Sequence, residues 1–156
     1  MSPELDEQLC KKYPEIFKDR YGDIRNSCMP WGFDCGDGWY PLIDELCRLI
    51  MWHCDHFNYN IEKHEYDKLP YPVAVQVKEK FGTLRFYING GDEAINNYIS
   101  MADCLSGRIC EECGLMKNAR TWNFGWLRTL CVEHAIEKYG KEIVENYLNN
   151  REVENE

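Results

Sequence analysis

Residues 110–134 read C-E-E-C-G-L-M-K-N-A-R-T-W-N-F-G-W-L-R-T-L-C-V-E-H. Two tight pairs stand out, Cys110 with Cys113 and Cys131 with His134, and 17 residues separate them. Each pair alone is ordinary. Together they supply four soft or borderline donors at the spacing that suits tetrahedral Zn²⁺. Gly114 follows the first pair, where the chain has to turn sharply beneath its thiolates. Residues Arg120 to Trp122 and Trp126 to Leu130 suit two short strands. Asn123, Phe124 and Gly125 lie between them, and Gly125 is free to take a positive φ. A helix starting at Cys131 would carry His134 on the same face. The expected module is therefore a knuckle, a hairpin and a helix, like a treble clef or zinc ribbon. Four protein ligands close the coordination shell, whereas a catalytic zinc keeps one position open, so the expected Zn²⁺ is structural. The competing reading is a set of redox-active or unbridged cysteines beside a surface histidine.

The 156 residues suffice for one body with a real core and a small metal-stapled unit. We expect residues 1–106 to form an α+β body and residues 107–150 to form the zinc module packed on it. A hydrophobic share of 44% and an aromatic share of 13% indicate a folded chain. No apolar run reaches membrane-spanning length, and the opening S-P-E-L-D-E carries no apolar signal core. The expectation is a cytoplasmic protein with no membrane partner. Of nine cysteines, six lie outside the proposed ligand set, and reduced thiols in the cytoplasm account for them better than a disulfide scaffold.

The formal net charge of −9 opposes nucleic-acid binding unless the bases gather on one face. They are unevenly placed: residues 68–88 sum to +3 and residues 107–131 to +2. Local basic surfaces are therefore compatible with an acidic whole.

Towards the N-terminus, Ser2-Pro3 suits a helix start, and Leu5, Leu9 and Cys10 line one face. Pro14 interrupts that helix, while Ile16, Phe17 and Tyr21 continue an apolar surface. Residues 26–40 form a loop dense in turn signals, with Trp31, Phe33, Trp39 and Tyr40 along it. Such a loop is either a plug over the core or a wall of a binding site. A helix is expected from Pro41 to about Phe57, followed by a polar loop from Asn58 to Pro72. His53, Cys54 and His56 cluster at the end of that helix, and with Cys28 or Cys35 they suggest a second metal site. Alternatively the histidines simply favour the negative end of the helix dipole.

Val73, Val75 and Val77 alternate with Ala74 and Gln76, and Leu84, Phe86 and Ile88 alternate with Arg85 and Tyr87. Two strands of a small antiparallel sheet follow. Lys78, Lys80 and Arg85 are the densest basic group, and Lys78 and Arg85 should point away from the core, with Tyr87 beside them. They form either an anion-contacting face or a solubilising one. Asn89-Gly90-Gly91-Asp92 ends the strand and starts a helix striped by Ile95, Tyr98, Ile99, Ala102 and Leu105. After His134 the helix continues through Tyr147, weakened at Gly140, and the last residues are polar and frayed.

Three motifs in combination, W-G-F-D-C-G-D-G-W-Y (31–40), V-K-E-K-F-G-T-L-R-F-Y (77–87) and C-E-E-C-G with T-L-C-V-E-H, resemble small phage- and prophage-encoded proteins of unassigned function. The resemblance spans about Cys28 to His134. It implies an accessory protein acting in the host cytoplasm, with interference in a host or defence component as its use. It transfers no catalytic residue.

Three functions compete. One is a non-enzymatic binding protein that inhibits a host protein or sequesters a small anionic ligand. Its contact candidates are Trp31, Trp39, Tyr40, Lys78, Lys80, Arg85 and Tyr87. The second is nucleic-acid binding through Arg108, Lys117, Arg120 and Arg128 with Trp122 and Trp126. The third is a metal-dependent hydrolase or nuclease, with Asp34, Asp37, Asp44, His53 and His56 around a divalent ion.

Overall fold

The alternating valines and the alternating Leu84, Phe86 and Ile88 fold back on each other through a two-residue turn. In the computed structural model, which describes residues 1–59 and 68–153, strand β2 spans Val73–Lys80 and β3 spans Thr83–Asn89. They pair antiparallel, with Val77 opposite Phe86 and Lys78 opposite Arg85. Phe81 and Gly82, at φ 58° and 80°, make the turn. Positive φ at both central residues matches the right-handed twist of a hairpin. The register slips by one residue between Ala74 and Gln76.

A two-residue strand β1, Phe33–Asp34, adds in parallel to the far side of β2, opposite Val77 and Lys78. This strand came from the turn-rich loop and had no alternating pattern to announce it. The sheet order is β1-β2-β3, so β3 is an edge. Helix α1 spans Pro3–Lys12, α2 spans Tyr40–Tyr59 and α3 spans Glu93–Ser106. Val77, Leu84 and Phe86 share a core with Leu9, Trp39, Ile43, Leu46, Ile50, Ile95 and Ala102. Phe17 sits between Phe33 and Phe86, with edge-on ring contacts at 5.0 and 6.2 Å. Tyr21 departs from expectation: it is exposed, with the Arg20 guanidinium over its ring.

The expected polar loop from Asn58 to Pro72 falls largely outside the described residues. At its base the Asn58 side chain accepts from Leu69 N–H and donates to Leu69 C=O, which closes the entry to β2.

The C-terminal third has its own core: Cys110, Trp122, Leu130, Cys131, Ala135 and Val144. Strands β4, Arg120–Asn123, and β5, Leu127–Leu130, form a separate antiparallel hairpin. Gly125 turns it at φ 91°. The single helix expected after His134 is two, α4 at Val132–Tyr139 and α5 at Lys141–Val153. Gly140 breaks them at φ 90°, where an L-residue is strained. The backbone expected to fray after Leu148 is helical as far as Val153. The chain is thus α+β, with five helices and two small sheets among the described residues. None of those helices is long and apolar enough to cross a membrane.

Candidate metal centre

Cys110 and Cys113 sit on a tight turn. Gly114 N–H donates to Cys110 C=O at 2.8 Å, and Cys110 N–H donates to Leu115 C=O at 2.9 Å. Gly114 takes φ 75°, as the chain reversal beneath the thiolates requires. Backbone N–H groups of Cys131, Cys113 and Glu112 reach the Cys110 sulfur. Burial pushes the Cys110 thiol up, but these donors outweigh it and bring the thiol below its ordinary value. Cys131 is the residue before α4, and His134 lies in the first turn of that helix. Burial, with Glu133 and Cys110 beside it, pushes the Cys131 thiol up to about 12.

The four donor atoms lie within 4.8 Å of one another. His134 Nδ1 is 3.1 Å from Cys131 Sγ and 3.6 Å from Cys110 Sγ, and Cys113 Sγ is 3.9 Å from Cys131 Sγ. A tetrahedral ion with bonds of ~2.0–2.3 Å to nitrogen and sulfur has edges of roughly 3.5–3.8 Å. The arrangement fits such an ion with little adjustment. Cys110 and Cys131 are buried, while Cys113 and part of His134 reach the surface.

The centre is seated on the body through residues that sequence reasoning assigned elsewhere. Gly38 N–H donates to Glu111 C=O at 2.8 Å, and Gly36 N–H donates to Glu111 Oε1 at 3.0 Å. A Cβ on Gly38 would collide with Cys110 C=O and Gly114 N–H, and one on Gly36 with Glu111 C=O. The D-C-G-D-G-W run is therefore a socket for the knuckle. Trp39, 0% exposed, donates its indole N–H to Ile109 C=O at 2.9 Å. Glu111, 2% exposed, accepts from Arg128 Nη2 at 2.8 Å. Burial pushes its carboxyl up, against the pull of Arg128.

The β2–β3 turn makes the second joint. Thr129 Oγ1 donates to Gly82 C=O at 2.6 Å, and a Cβ on Gly82 would meet the Thr121 methyl group at 2.6 Å.

These contacts correct several sequence assignments. Trp39 is a buried strut and offers no binding wall. Tyr40 is half-buried, with its hydroxyl donating to Gln8. Trp31 stays exposed at 76%. Arg85 is bound to Asp103 at 2.6 Å, which cancels much of its charge. Lys78 is half-buried beside it, Lys80 is exposed with its ammonium over the Phe81 ring, and Tyr87 is exposed. The hollows beside Leu84–Ile88, beside Phe33–Gly36 and beside Ile24–Cys28 do not join Trp31 or Trp39 to Lys78 and Arg85.

In the basic set of the C-terminal third, Arg128 is taken by Glu111 and Glu112, and Trp122 is wholly buried under Arg120. Arg108, Lys117 and Trp126 remain on the surface. The second metal set does not assemble among the described residues, where the Cys110 centre is the one group of donors close enough to hold an ion. His53 pairs with Asp92 at 2.8 Å, His56 stacks on Trp52, Cys54 and Cys35 are buried, and Cys28 is exposed. Asp44 accepts from Lys12 and Tyr13, and Asp37 accepts from Ser2 N–H. Asp37, Asp44 and His53 are thus taken up in separate structural pairs, and Asp34 is exposed on β1.

The fold and its centre define an α+β protein with a Cys₃His site able to bind a metal ion. Comparison with protein-family models, with curated proteins and with solved structures finds no match.

Proposed function

We propose that the Cys₃His centre holds structural Zn²⁺ in a treble-clef-like module, and that the chain is a non-enzymatic binding protein whose partner is another protein. Zn²⁺ is the ion that three thiolates and an imidazole in closed tetrahedral array favour. Binding it would release the thiol protons and hold the knuckle to the hairpin.

The observation that carries the binding reading is exposed aromatic surface on an acidic chain. Trp31 at 76%, Trp126 at 68% and Tyr21 at 76% stand in solvent. Large aromatics of this kind anchor protein interfaces. A net charge of −9 complements basic partners such as nucleic-acid-handling proteins. The phage-accessory and anti-defence context, and a host cytoplasmic location, rest on the resemblance of the three motifs. Capture of a small anion is the weaker form of the reading, because Arg85 and Arg128 are already paired.

The test is retention from host lysate on the immobilised full chain, alongside Trp31→Ser and Trp126→Ser. A host protein retained by the parent and lost from a variant supports the reading. No retained protein removes it. Elemental analysis should find one zinc per chain, and a folded, metal-free protein would overturn the zinc assignment.

A further inference from the structure

Strand β3 is the sheet's edge, and its outward backbone groups can be followed one by one. Leu84 N–H donates to Ser106 Oγ at 2.8 Å, so Leu84 turns its backbone away from β2. Leu84 C=O accepts from Arg85 Nη1 at 3.2 Å, and the same guanidinium nitrogen reaches Asp103. The edge is therefore closed at this end. In an antiparallel strand every second residue faces the same way, so Phe86 and Ile88 also direct their N–H and C=O outward. No group among the described residues takes up those outward donors and acceptors.

Beside this open edge runs a groove of about 330 Å³, walled by Leu84–Ile88 on one side. Asn96, Ile99, Ser100 and Asp103 of α3 form its other wall. Their spacing places them on one helix face. A second hollow of about 530 Å³ lies among Ile24, Arg25, Cys28 and Gln76, and Tyr87 and Ile88 border both. Side chains of an added strand alternate between two faces. Here one set would enter the α3 groove and the other would meet Tyr87 and the hollow near Ile24.

We infer that the β3 edge and α3 form a docking groove for an extended segment of a partner protein, added to the sheet as a fourth strand. The inference rests on the binding role proposed above. The occupant is chosen by the open N–H and C=O groups, which only another extended backbone satisfies in series, and by the hollows on both sides. Its in-facing side chains would be apolar against Ile99 and the edge of Ile88. A second copy of this chain fits less well: paired by a two-fold axis, it would bring its own α3 over the groove that α3 already walls.

The test pans a displayed library of random linear dodecapeptides against the zinc-loaded full chain. Affinities of a selected peptide are then measured for the parent, Ser100→Trp and Asn96→Trp. Both substitutions fill the groove from exposed helix positions, and unchanged circular dichroism checks the fold. The inference predicts enriched peptides with alternating apolar residues, at least tenfold weaker binding to both variants, and slowed amide exchange at Phe86 and Ile88 when peptide is added. Absence of enrichment, or equal binding by the variants, overturns it. So does concentration-dependent dimerisation that protects Phe86 and Ile88 without peptide. A host protein retained equally by parent and Ser100→Trp would leave the binding role standing and remove this groove from it.

Discussion

Gly38 and Gly125 carry the same side chain for different reasons, and the same substitution separates them. A methyl on Gly38 meets two backbone groups of the knuckle that cannot swing aside. Gly38→Ala should cost about 3 kcal/mol, the upper range for overpacking, and should weaken metal retention. Gly125 has nothing within 4 Å and needs only its positive φ. Gly125→Ala should cost about 1 kcal/mol and leave the metal in place. Urea midpoints and zinc release to a chromophoric chelator measure both. Arg128→Met should cost more, about 3–5 kcal/mol, because it strands the Glu111 carboxylate in the joint. The cluster of four donors was legible from spacing alone, since a metal site of this kind is built from two short local pairs. The socket glycines were not, because what Gly36 avoids lies 75 residues away, at Glu111, and leaves no mark on its neighbours.

Among the elements, the alternating strands, the striped helix α3 and its start at Asp92 were readable because one face of each meets the core. Asp92 accepts from Ile95 N–H at 3.0 Å as the helix cap, and it also pairs with His53 of α2. Asp92→Ala should destabilise by ~1–2 kcal/mol. Burial pushes the Asp92 and Asp44 carboxyls up. The Ile95 N–H and His53 for Asp92, and Lys12 with Tyr13 for Asp44, outweigh it and hold both below the usual carboxylate value. A carboxylate depressed in this way stabilises the fold fully above its unfolded pKa of about 4, and that stability is lost as pH falls through the lower folded value. Asp44→Asn should therefore show a shallower loss of stability as pH falls below about 4, read from urea midpoints along the pH series. The β1 strand escaped notice, and Gly140 was read as weakening one helix and not as dividing two, for opposite reasons. Two residues are too few to show a period, and the apolar spacing runs on across Gly140 although its backbone does not.

At the scale of the molecule, two cores meet along the knuckle socket and the Gly82–Thr129 joint. With the proposed Zn²⁺ bound at the Cys₃His cluster, its removal should release the smaller core first. Chelation is expected to lower the melting temperature by at least about 10 °C and to turn one transition into two in calorimetry. Cys113→Ser, at an exposed ligand, should reproduce that profile without chelator. The α+β class and the Cys₃His cluster were legible in the sequence. The joint between the motifs was not, because the aromatic loop read as a plug or a binding wall and the strands as an anion-contacting or solubilising face, whereas W-G-F-D-C-G-D-G-W grips C-E-E-C-G and K-F-G-T meets Thr121 and Thr129 of the β4–β5 hairpin.

That grip has a consequence for biosynthesis. The ribosome delivers Trp39 some 70 residues ahead of Ile109, whose carbonyl receives the indole at 2.9 Å. Until then the nascent chain carries an unfinished wall, with a large ring and two bare glycine peptides awaiting a cover not yet translated. Stalled or truncated chains ending before Ile109 would keep that wall open, giving chaperones and proteases a place to engage.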